Sequence, residues 1–166
     1  MELAPAARRH LMASTAIRGY VADRVYTHEL ATHVAPHGKR AIVVRPSGGW
    51  SQPEQRSGGE FPLLYIDCWA DCTREPNGDR AADDNITNAW AVYRAVDPLL
   101  QGVRHAQWGA VGTQPGLTIV SCERWSEPIP QTAGDSHGGA STALPYPVPI
   151  GEAAVVTTAY AIITFH

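Results

Sequence analysis

The sequence predicts an α+β fold: an antiparallel or mixed sheet of about four strands, two main helices packed on one face, and long loops. Three observations predict it. Two segments repeat apolar residues at helical spacing, and four others are rich in β-branched and aromatic residues. Turn formers gather between them, with 15 glycines and 13 prolines in 166 residues.

The first helix is expected over residues 4–21. Ala7, Leu11, Ser14, Ile17 and Val21 fall on one stripe, and Pro5 suits a first turn, where its missing N–H costs nothing. Gly19 reads as a stop signal, and Asp23 to Tyr26 as a short extended piece. Arg40 to Arg45 is a strand with a β-branched centre, ended by Pro46. After a glycine-rich tip over 47–60, the segment from Phe61 to Ala70 resumes as a second strand. It alternates Leu64, Ile66, Cys68 and Ala70 with Leu63, Tyr65, Asp67 and Trp69. The two strands are expected to pair as a hairpin with an overlong tip.

Asp79 is placed to cap a second helix, whose stripe is Ala82, Ile86, Ala89 with Trp90, Tyr93, Val96 with Asp97, and Leu100. Pro98 falls in its last turn, either kinking it or opening a short new turn capped by Asp97, and Gly102 closes it. Leu117 to Trp125 is a third strand. Residues 126–151 carry no helical period and read as a long loop. The fourth strand, Ala154 to Phe165, is so apolar that it must be paired inside a sheet. Tyr65, Trp69 and Trp125 are expected on the sheet face away from the helices. With no internal repeat, residues 1–166 read as a single domain carrying insertions at 47–60 and 126–151.

Composition narrows the function classes. The chain is 44% hydrophobic and 17% charged, within the globular range. Its formal net charge is −3 and no basic stripe appears, so phosphate-driven nucleic-acid binding has little support. Three cysteines do not make a disulfide framework and fit a reducing cytoplasm. Arg8-Arg9 faintly resembles a twin-arginine signal, but Arg18, Asp23 and Arg24 interrupt the apolar stretch that should follow. No run approaches the roughly 18 apolar residues of a membrane span.

Catalytic and metal motifs are present only as fragments. Cys68 and Cys72 have C-x3-C spacing and Cys122 is a third sulfur, yet no second cluster supplies further ligands, so small buried hydrophobes are expected. His137-Gly138-Gly139-Ala140-Ser141 resembles an oxyanion-hole motif without the G-x-S-x-G elbow it requires. No dinucleotide or P-loop fingerprint occurs. Asp79, Asp83 and Asp84 suit the positive end of a helix dipole better than a metal. Neither a catalytic residue nor a cofactor or metal site is expected, and the chain reads as a non-enzyme. Trp50, at the tip of the glycine-rich loop, is either a local clamp or an anchor into a neighbouring subunit. Arg56 on the same loop is either a solvated charge or a contact.

The order and spacing of these pieces resemble a known family. An N-terminal helix leads into Asp23-Arg24-Val25-Tyr26, and a hydrophobic strand ends at Arg45. The long tip, the strand Leu63 to Trp69, a helix ending Val96-Asp97-Pro98-Leu99-Leu100-Gln101-Gly102 and two final strands complete the layout. Over residues 1–125 and 152–166 it is similar to the tail terminator, or tail completion, proteins of siphophages; the insertion at 126–151 departs from that pattern. The resemblance implies a six-membered ring of this chain at the head-proximal end of the tail tube. The ring would end tube polymerisation and meet both the tail tube protein and the head-completion connector. DNA would pass through its channel without sequence-specific binding. The protein would be made in the host cytoplasm and end in the neck of the virion, with no membrane partner. Subunit and tail interface candidates are then Trp50, Arg56, Tyr65, Trp69 and Trp125. A head-completion or stopper protein is the nearest alternative; a small hydrolase and a ligand-binding module using 126–151 as a lid are the others.

Overall fold

A computed structural model describes residues 3–27, 40–46, 62–70, 82–110, 116–132 and 154–165. Among the described residues three helices, α1 (Leu3–Ala13), α2 (Thr15–Val21) and α3 (Ala82–Leu100), accompany seven strands. These are β1 (Val25–Thr27), β2 (Ala41–Pro46), β3 (Leu63–Trp69), β4 (Val103–Trp108), β5 (Leu117–Arg124), β6 (Ile129–Thr132) and β7 (Ala154–Phe165). The class is α+β as expected, but the sheet is larger than about four strands. Its order is β1-β2-β3-β7-β5-β4, with β6 also paired to β7. Among the described strands only β1 and β2 run parallel; the other pairs are antiparallel.

The apolar terminal strand β7 is the spine of the sheet. Along one side it pairs with β3, from Leu63↔Ala161 to Trp69↔Val155. Along the other it pairs first with β6 and then with β5. Over most of its length this strand has neighbours on both sides, so its backbone polar groups are satisfied in the ladder and apolar character suits it.

The first helical segment departs from expectation in one respect. It is not a single helix with Ser14 on its apolar stripe. Ser14 adopts an extended conformation (φ −76°, ψ 125°), and its hydroxyl accepts from the Ile17 N–H at 3.4 Å, capping α2. Gly19 lies within α2, and the chain leaves that helix at Ala22 with φ 53°. Helix α3 matches its expected extent and runs through Pro98, which is exposed. Asp97 therefore caps nothing, and its side chain turns toward the sheet. Ala89, Val92, Tyr93, Val96 and Leu100 are buried, whereas Trp90 is half-buried and meets Tyr93 edge-on at 5.4 Å.

One continuous core joins the helices to one face of the sheet. Ala7, Leu11, Ile17 and Val21 meet Ile42, Val44, Leu64, Ile66, Cys68, Val156, Tyr160 and Ile162, with Ala89, Val92 and Val96 beside them. Each fully buried aliphatic side chain contributes on the order of 1.5–3 kcal/mol. The opposite face is also buried over much of its extent. Ala41, Val43, Asp67, Trp69, Val155 and Ala159 are covered there although they lie outside that core.

Two strands escaped the sequence reading. In β4 the inward positions are Val103, Ala106 and Trp108, so the period-two signal is broken. The break lies at His105, which has φ 49°. Directly across, β5 shifts register against β7 between Ile119 and Ser121, so Val120 is an extra residue. An irregularity of this kind bends and twists a strand. The bend carries β4 over the helices, and α1 consequently touches both ends of the sheet. Arg8 Nε donates to the Val25 carbonyl at 2.6 Å on one side, and the His10 ring stacks on Trp108 at 4.9 Å on the other. Strand β6 contains Pro130, tolerated because β6 has no described neighbour beyond β7. It takes part of the segment expected to be loop.

Candidate functional site and interaction surfaces

Of the residues singled out from sequence, Tyr65, Trp69 and Trp125 are among the described ones. Tyr65 and Trp69 lie on the sheet face away from the core, as their alternation with Leu64, Ile66 and Cys68 requires. Tyr65 is half-buried, and the Arg45 guanidinium carbon stands 5.2 Å from its ring centroid. Trp69 is only 3% exposed, so its indole is covered within the subunit and presents little area to a partner. Trp125 is the opposite case, 70% exposed in the bend between β5 and β6. Trp50 and Arg56 lie outside the described residues, as do Cys72, Asp79, the 137–141 motif and the whole 47–60 tip.

Two polar clusters hold the fold around these surfaces. On the outer face, Arg45 makes a two-pronged contact with Asp67, Nε–Oδ2 at 2.6 Å and Nη2–Oδ1 at 2.9 Å. The Thr157 hydroxyl donates to the same Oδ1 at 2.9 Å. Asp67 is fully buried, and a buried carboxylate persists only when charge and hydrogen bonds replace its water. The register Arg45↔Tyr65 and Asp67↔Thr157 puts these groups side by side on three adjacent strands.

On the core side, Asp97 gathers three partners from three elements. Tyr160 Oη donates at 2.8 Å and Tyr93 Oη at 3.1 Å, both to Oδ1, while Arg124 Nη2 reaches Oδ2 at 2.6 Å. Burial and the adjacent carboxylate hold both phenols protonated, with Tyr93 pushed up to about 12 and Tyr160 further still. Nearby, Glu123 accepts from Gln101 and Arg104, tying the end of α3 to β4 and β5. Sequence reasoning assigned Asp97 to a possible cap and gave Tyr160 no role; the only available signal was a phenol in the middle of a strand of aliphatic and threonine side chains.

In both clusters the carboxylate is engaged by an arginine and by hydroxyl donors. Cys68 and Cys122 are buried free thiols, and burial pushes the Cys68 thiol well up and that of Cys122 to about 12. Among the described residues no group of three or more His, Cys, Asp or Glu is placed to hold a metal ion. Also among them, no helix is long and apolar enough to cross a membrane.

The surfaces are more informative. Among the described residues, three large hydrophobic side chains are exposed: Trp125 at 70%, Ile129 at 50% and Tyr20 at 38%. Trp125 and Ile129 share the β5–β6 bend, which is stapled to β7. The Trp125 N–H donates to the Ala159 carbonyl at 2.8 Å, and the Ala159 N–H donates to Ser126 Oγ at 3.0 Å. The Thr158 hydroxyl donates to the Ser126 carbonyl at 3.0 Å. Tyr20 stands across the sheet, on α2, with the Arg40 guanidinium carbon 5.8 Å from its ring centroid.

No family model matches the sequence, and no curated protein matches it. Among solved structures, the chain is similar to one from "Virion of native gene transfer agent (GTA) particle", with a TM-score of 0.60 and 12% identity. The match covers 98% of this chain and 95% of the other, so the two share a fold from end to end.

Proposed function

We propose that this chain is a structural protein of a phage-like virion, acting as a tail terminator. In this reading six copies form a ring at the head-proximal end of the tail tube, end its polymerisation and join it to the head. Its partners are further copies of itself, the tail tube protein and the head-completion connector, with DNA passing through the channel. It is made in the host cytoplasm, is carried into the virion neck, and catalyses no reaction.

The observation that carries the reading is the end-to-end likeness to a chain of a gene transfer agent virion, a phage-like particle. Two nearly complete coverages mean that the fold is shared over almost the whole length of both chains. The order of elements in the sequence supports the terminator in particular, because the N-terminal helices, the β2–β3 pair, the long helix and the final strands follow that family's layout. Apolar side chains displayed on a rigid bend fit a protein that works by contact with other subunits.

Electron microscopy of a lysate from a phage with this gene interrupted by a stop codon tests the proposal. Overlong, headless tail tubes beside filled heads are expected. Tails of normal length that fail to join heads would move the protein to the head side of the neck, and intact virions would end the structural reading. Deleting residues 48–59 should leave a folded subunit that assembles poorly, because the tip is proposed to contact a neighbour; normal phage yield would count against that role.

A further inference from the structure

We infer that the Trp125–Ile129 bend of one copy docks on the Tyr20–Arg40 surface of the next, so that subunits join head to tail through two different patches. The inference deepens the ring reading above and rests on it for closure of the contact into a ring.

The two patches account for every exposed large hydrophobic among the described residues. They lie far apart in the sheet: Trp125 and Ile129 belong to the β5–β6 side of β7, whereas Tyr20 and Arg40 flank β1 and β2, with β3 between. One subunit therefore cannot satisfy both with itself, and a two-fold dimer that made the contact twice would stop at two copies. A head-to-tail contact uses each patch once and propagates.

Their chemistry is complementary. The donor patch offers an indole and an aliphatic side chain beside exposed Glu127, all on backbone pinned to Thr158 and Ala159. A tryptophan held on rigid backbone loses little freedom on binding. The acceptor patch is aromatic and mainly cationic, with exposed Asp23 beside its arginines. Arg8 Nε donates to the Val25 carbonyl at 2.6 Å and Arg24 Nε to the Arg40 carbonyl at 2.7 Å. Those bonds fix the guanidinium groups in place, and among the described residues neither Arg8 nor Arg24 forms an ion pair. Arg40 lies over Tyr20 and also donates to Asn88 Oδ1 at 3.0 Å. An arginine-rich aromatic surface attracts the face of an indole and pairs with a carboxylate. The outward Val25 carbonyl is already taken by Arg8, so that acceptor on β1 is not open to an added strand.

The test uses the full-length purified chain, with association followed by sedimentation and fold by circular dichroism. Trp125→Arg should weaken self-association about 30-fold or more, the loss expected on removing a tryptophan hot spot. Tyr20→Glu should weaken it too by placing a carboxylate opposite Glu127, and Glu127→Arg added to Tyr20→Glu should restore part of the loss. Mixing the Trp125→Arg and Tyr20→Glu chains should give dimers and nothing larger, since each mutant keeps one working patch and the other is spoiled. Undiminished assembly of a folded Trp125→Arg chain would overturn this contact and leave the ring reading standing. A wild-type chain that stays monomeric at its highest soluble concentration would also overturn it, while the stop-codon phenotype decides the ring reading separately.

Discussion

The Tyr160 hydroxyl, on the central strand β7, lies 2.8 Å from Asp97 Oδ1 on α3. It is the polar bolt through an otherwise apolar helix–sheet interface, and Tyr93 and Arg124 complete it. Because Asp97 immediately precedes Pro98, the helix residue best placed to cap a new turn is instead committed to the sheet.

Asp97→Ala should destabilise the protein by about 2–4 kcal/mol, because two buried phenols and a guanidinium lose their shared acceptor. Tyr160→Phe should cost only about 1–1.5 kcal/mol, since Asp97 keeps Tyr93 and Arg124. Urea denaturation of both single variants and the double variant checks this. Additive effects would show that the hydroxyl and carboxylate do not interact.

Asp67→Ala should cost about 3–5 kcal/mol by stranding Arg45 against the sheet without its carboxylate. Replacing both, as Arg45→Met with Asp67→Leu, should recover most of that loss. If thermal melts place the double variant no higher than the single one, the pair contributes more than mutual compensation.

His10 gives stability a particular pH dependence. Burial holds its pKa below the ordinary value of 6.5, while Nε2 sits 3.1 Å from the Leu99 carbonyl and the ring stacks on Trp108. The unfolded state therefore binds the proton more readily than the folded state. Stability from this group is fully present above about pH 6.5 and falls as the pH drops from there through the lowered folded pKa. The His10→Gln variant should lack that part of the slope. Identical pH profiles for variant and wild type would refute the desolvation of His10.

Cys68 and Cys122 should resist thiol reagents at about pH 8 in the folded protein and react on unfolding, because burial suppresses both thiolates. A Cys72→Ser background isolates the two sulfurs. Rapid labelling without unfolding would mean that this part of the sheet opens readily.

Legibility from sequence followed locality. The faces of β3 were readable because residues two apart share a side, and the register with β2 and β7 agrees with them. The extent of α3 was readable from its stripe. The split at Ser14 was not, because an apolar period runs across the break and only the cap geometry reveals it. Trp125 and Trp69 looked equivalent as strand-end tryptophans, and only the neighbours brought by other strands buried one and left the other exposed.

The sequence by itself determined the α+β class, four of the strands, the long helix and the need to bury its last segment within a sheet, since each depends on periodicity and residue type within a short window. Tertiary structure alone decided the seven-strand order, the enlistment of β4 and β6, and the meeting of Asp97 with Tyr160 across 63 positions. Strand pairing is a contact between distant segments. Weakly patterned strands such as β4 and β6 are stabilised by the neighbours they join, a quantity that no local window contains.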